Sequence, residues 1–96
     1  MKDNLRGSVL KAVGLINASK EDQDATLYRI EQVARKRFAL ALPELLTDKQ
    51  LEHVDSMYKA GDEEVVVMQW IEGQIPQYEE AMSAIILDVA EEAAQD

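Results

Sequence analysis

The amino-acid sequence predicts an all-α protein, a compact bundle of about five short-to-medium helices in a single domain over residues 1–96. Three observations carry this. Apolar residues recur at helical spacing along most of the chain. Helix starts and stops alternate in order, with Ser, Thr or Asp ahead of the periodic runs and Gly or Pro after them. The one run of strand character, Val65-Val66-Val67, has no second strand to pair with, so it too is read as helix.

The first helix is expected over 4–16, where Leu5, Val9, Leu10, Val13 and Ile16 share a face. Gly7 and Gly14 each weaken it by roughly 1 kcal/mol relative to Ala, so residues 1–18 are expected to dock loosely. The second helix is expected over 20–42. Ser19 is its N-cap, Asp22 stands where a capping-box acid reaches back, and Glu21, Asp22 and Asp24 suit the positive end of the helix dipole. Leu27, Ile30, Ala34, Phe38 and Ala41 mark its buried face. Arg35-Lys36-Arg37 stand near its C-terminal end, where cations are favoured, and Pro43 stops it by pushing the preceding residue out of the α region.

The sharpest local motif is Leu46-Thr47-Asp48-Lys49-Gln50-Leu51, which opens a third helix over 48–60. Thr47 and Gln50 have the spacing of a capping box, and Leu46 and Leu51 that of a hydrophobic staple. Leu51, Val54 and Tyr58 continue as a buried stripe, and Gly61 supplies a left-handed stop. Asp62 is expected to cap a fourth helix over 63–74, with Val66, Val67, Trp70, Ile71 and Ile75 on its apolar face. Pro76 suits the first turn of a fifth helix over 76–93, striped by Tyr78, Met82, Ile85, Ile86 and Val89 and running on to Ala93. The acidic, Ala-rich tail 91–96 is expected to fray.

Composition narrows the functions. No run of about eighteen apolar residues exists, so no membrane span is expected. The N-terminal stretch from Met1 to Gly7 lacks the apolar segment of a signal peptide. The chain has no cysteine, which removes disulfides, thiolate metal sites and Cys nucleophiles and fits a cytoplasmic protein. The net charge of −9 is unevenly spread. Residues 1–42 hold eight Lys/Arg against five Asp/Glu, a net of +3, and residues 43–96 hold two against fourteen, a net of −12. Such asymmetry speaks to partners, or to attraction between the two halves within one domain or between copies.

Catalytic constellations are absent from the pattern. The single histidine, His53, falls at the edge of the third helix's stripe, and one His beside Glu52 makes no metal site. The pairs Glu63/Glu64, Glu79/Glu80 and Glu91/Glu92 lie on outer helix faces rather than in a cleft that would separate their pKa values. Ser8, Ser19, Ser56 and Ser83 have no nucleophile-elbow context, and the four isolated glycines build no phosphate loop. A helix–Gly61–helix resemblance to a DNA-binding motif fails, because the would-be recognition helix opens Asp62-Glu63-Glu64 and holds no cation to meet phosphate.

Two interaction features remain. Glu63, Glu64, Glu72, Glu79 and Glu80 make an acidic surface that suits a basic protein patch or imitates nucleic-acid phosphates. Met68 and Leu87 fall off the main apolar faces of the fourth and fifth helices; exposed, they would form a second packing surface for a homodimer or a partner groove.

The run Leu42-Pro43-Glu44-Leu45-Leu46-Thr47-Asp48-Lys49-Gln50-Leu51, followed by Gly61-Asp62-Glu63-Glu64, Trp70-Ile71 and Ile75-Pro76-Gln77-Tyr78, resembles a family of small acidic helical bacterial domains of unknown function. The likeness covers roughly residues 20–92 and rests on helix caps and turns. It implies a helical fold and a bacterial origin, and brings no activity, ligand or catalytic residue. The sequence therefore leads to a non-enzymatic protein–protein interaction module without cofactor, metal or small-molecule substrate. Its expected partner is another protein or a second copy. The alternative is an acidic mimic that inhibits a basic nucleic-acid-binding protein.

Overall fold

Local capping signals set the helix boundaries, and a computed structural model of the chain describes them over residues 1–95. Among the described residues the elements are α1 (Asp3–Ala12), α2 (Lys20–Leu45), α3 (Asp48–Lys59), α4 (Glu64–Gln74) and α5 (Tyr78–Gln95), with no strand. The protein is all-α, and Val65-Val66-Val67 is helical as expected.

α1 ends earlier than the expected 16. Gly14 takes a left-handed conformation, φ +73°, and closes a paired C-terminal stop. Its N–H donates to the Lys11 carbonyl at 3.2 Å, and the Leu15 N–H donates to the Leu10 carbonyl at 2.8 Å. Ile16, placed on the buried face by periodicity, lies beyond this stop and is exposed. α2 starts as expected, with the Ser19 hydroxyl accepting the Asp22 N–H at 3.2 Å. It does not stop before Pro43 but runs through it to Leu45. Proline so near a helix end removes one donor, and the turn closes again where the Leu46 N–H donates to the Leu42 carbonyl at 2.9 Å. The extension leaves the last turn without a cation, so Arg35-Lys36-Arg37 do not complement the C-terminus of α2.

The capping box of α3 is complete. The Gln50 N–H donates to Thr47 Oγ1 at 3.2 Å, and the Thr47 N–H donates to Gln50 Oε1 at 2.9 Å. Gly61, φ +83°, ends the helix with the same paired stop as Gly14: its N–H reaches the Tyr58 carbonyl at 3.0 Å, and the Asp62 N–H reaches the Met57 carbonyl at 3.1 Å. Because Asp62 finishes α3, the N-cap of α4 falls to Glu63, which makes no side-chain cap bond. Pro76 also departs from expectation. It holds Ile75 in an extended conformation and lies in a turn with Gln77 at φ +58°, ahead of α5. α5 extends to Gln95, and Asp96, the last residue of the tail expected to fray, lies outside the described residues.

The chain divides into two compact units, Met1–Ala39 with Glu79–Asp96, and Leu40–Tyr78. The first unit is built on a core of Val9, Leu10, Leu27, Ile30, Ala34, Ile86, Val89 and Ala90. α1 contributes Val9 at 0% exposure, and Gln23 Nε2 holds the following turn by donating to the Leu15 and Ile16 carbonyls at 3.0 and 3.2 Å. Lys2 Nζ meets Glu79 Oε2 at 2.7 Å and Arg37 pairs with Glu92, so two cations of the basic N-terminal half are answered along α5 within this unit. In the second unit α3 packs on α4. Leu46, Val67, Ile71 and Ile75 are buried, but α3 contributes no fully buried side chain. Tyr58, expected in a buried stripe, is 52% exposed, and Val66 is 44% exposed.

Candidate functional site

The side chains singled out from the sequence fall in both units. Glu63, Glu64, Met68 and Glu72 belong to the second; Glu79, Glu80 and Leu87 belong to the first. On α4, Glu64, Met68 and Glu72 follow at four-residue intervals and share a helix face, with Met68 half-buried between the two exposed acids. Neither Met68 nor Leu87 stands out as surplus apolar surface. Leu87 packs against the core of the first unit, as expected of a helix covered on more than one side.

The five acids differ in what holds them. Lys2 donates a hydrogen bond to Glu79 and lowers its pKa below the ordinary carboxylate value, first through that bond and then through its charge. Glu63, Glu64, Glu72 and Glu80 are exposed and make no ion pair among the described residues. By unit, the first carries eight Lys/Arg against eleven Asp/Glu, a net of −3, and the second two against eight, a net of −6. The unbalanced acidity is therefore concentrated in the smaller unit, where one i,i+4 pair, Lys59 with Asp55, answers it.

His53 is exposed on α3, and its ring lies 4.3 Å from that of Trp70 on α4, tilted by 31°. The contact joins two helices. Among the described residues, no three of His, Asp and Glu converge as metal ligands, and no helix is long and apolar enough to cross a membrane.

An open groove of about 380 Å³ in the first unit was not legible from the sequence. Val13 and Leu15 from the stop after α1, Ile30 and Val33 from α2, and Val89 and Ala93 from α5 form its walls. Thr26 and Arg29 add the polar part of the lining. Along α5 its lining passes from Val89, whose side chain is covered, to Ala93 and Ala94, which are exposed. Val33 is 41% exposed, and Arg29 is exposed without an ion pair among the described residues. Val33 lies off the Leu27/Ile30/Ala34/Phe38 stripe, so the wheel test applied to Met68 and Leu87 would have singled it out on α2.

The second unit offers the converse shape. Val65 and Val66 stand 58% and 44% exposed in the first turn of α4, directly after the acids Glu63 and Glu64. Both surfaces are aliphatic with charged side chains beside them. No protein-family model, curated protein or solved structure matches the chain.

Proposed function

We propose that this chain is a non-enzymatic protein-binding module. The observation that supports it is the aliphatic groove between the stop after α1, α2 and α5, left open beside the buried core of the first unit. Exposed aliphatic surface of this kind gains free energy when an apolar partner segment covers it, at about 25 cal/mol per Å² removed from water. Its polar lining, Thr26 and Arg29, orients a partner and supplies no acid–base pair.

A second reading, the anionic mimic, draws on the net −6 of the second unit and its unpaired Glu63, Glu64 and Glu72. Salt separates the two, because the screening length falls from about 10 Å at 0.1 M to about 3 Å at 1 M. Immobilised chain is challenged with lysate of the source cell at both salt concentrations, beside a Val33→Glu variant. Groove binding predicts capture that survives 1 M salt and is lost on Val33→Glu. Capture that vanishes in 1 M salt and ignores Val33→Glu would favour the mimic and sink the groove.

A further inference from the structure

We infer that the groove of one copy receives the first turn of α4 from a second copy, in a head-to-tail contact. This rests on the protein-binding reading and names the partner. The groove presents aliphatic walls with one unpaired cation, Arg29, and Lys36 stands exposed two turns further along α2, also unpaired among the described residues. The start of α4 presents the converse: two exposed valines, Val65 and Val66, behind two unpaired acids, Glu63 and Glu64. Each copy thus carries one apolar recess flagged positive and one apolar ridge flagged negative. Such a pair of unlike surfaces makes a heterologous interface, which closes into a ring or extends as a chain according to the rotation between copies. Arg29, Arg35 and Lys36 on α2 make no ion pair among the described residues, and the second unit, from which the docking turn comes, carries the larger net negative charge, −6 against −3, so the charge distribution points the same way.

Each copy's net charge of −9 opposes association when screening is weak. The test is therefore run near 0.15 M salt, where the screening length is about 8 Å. Sedimentation velocity over a series reaching high micromolar concentration should show mass rising above the monomer. Arg29→Glu alone, or Glu63→Lys with Glu64→Lys, sets like charges against each other and should raise the dissociation constant by about tenfold or more. Mixing the two variants should restore association, since each reversed surface then meets its complement. All three side chains are exposed, so circular dichroism should show unchanged helix content in every variant.

A chain that stays monomeric throughout overturns the inference, as does association that ignores both reversals or fails to recover on mixing. A monomer whose capture of another protein still depends on Val33 overturns self-docking while leaving the protein-binding reading intact. Loss of that capture together with monomeric behaviour overturns both.

Discussion

The two units solve the same problem with different means. The first buries eight apolar side chains in one cluster drawn from three helices, and it ties its ends with ion pairs at Glu79 and Glu92. The second buries four, none of them from α3, and it leans on local devices, a reciprocal capping box at Thr47 and Gln50 and a left-handed glycine at Gly61, beside the one His53–Trp70 ring contact between helices. Burial is non-local and accumulates with each added side chain, whereas a cap acts within one turn and contributes about 1 kcal/mol. The smaller unit should therefore be the first to open.

The largest effects come from truncating one buried side chain in each unit. Leu27→Ala and Ile71→Ala should each cost about 2–5 kcal/mol, from lost transfer free energy and the cavity left behind. In the first unit seven members of the cluster remain, but in the second Ile71 is one of four buried side chains. Native-state hydrogen exchange on Ile71→Ala should show the amides of α3 and α4 losing protection before those of α1 and α5. Trp70 is the chain's one tryptophan and belongs to the second unit, so its fluorescence should melt ahead of the helical signal. Equal loss of protection in all helices would show that the two units unfold as one.

A smaller effect compares like with like, because each unit contains one left-handed glycine stop. Gly14 at φ +73° and Gly61 at φ +83° close the same pair of backbone bonds, and a Cβ added at either would meet nothing within 4 Å. The cost of alanine is then conformational alone, about 1–2 kcal/mol at either site. Thermal melts of Gly14→Ala and Gly61→Ala should agree if stability is shared across the chain. A distinctly larger fall of the Trp70 transition in Gly61→Ala would place the weaker link in the second unit.

How far the sequence disclosed these features follows the range of the forces involved. Ser19, the Thr47–Gln50 box and the Gly61 stop were readable because each is settled within four residues. Two errors at boundaries came from stops whose reach was misjudged. Asp62 donates its N–H to end α3 and the Glu63 carbonyl accepts the first bonds of α4, so the cap falls one residue later, and Gly14 read as a weakness in α1 where it is the terminus. Periodicity gave the buried sides of α2 and α5, but it does not give depth, and in the smaller second unit Tyr58 on α3 and Val66 on α4 emerged exposed. The groove was out of reach because its walls come from three separate stretches of the chain, the stop after α1, α2 and α5. The charge asymmetry was plain in the sequence, yet its partial cancellation along α5 was not.

That cancellation supplies the smallest effect and sharpens what holds the first unit. Glu79 and Glu92 have their pKa values lowered, in each case first by the hydrogen bond from Lys2 or Arg37. A group whose folded pKa is lowered adds stability that is present above its unfolded pKa and is lost as pH falls through the folded value. Lys2 runs the other way: its pKa is raised by Glu79, so its share is present below the ordinary lysine value and fades as pH rises beyond it. All of these groups are exposed, and exposed pairs contribute little and are screened by salt. Glu79→Gln and Glu92→Gln should therefore leave the neutral-pH melting temperature nearly unchanged and flatten slightly the loss of stability on acidification below the ordinary carboxylate range. A large drop at neutral pH, abolished by high salt in the unsubstituted chain, would mean that the first unit relies on its charge pairs and not on its core.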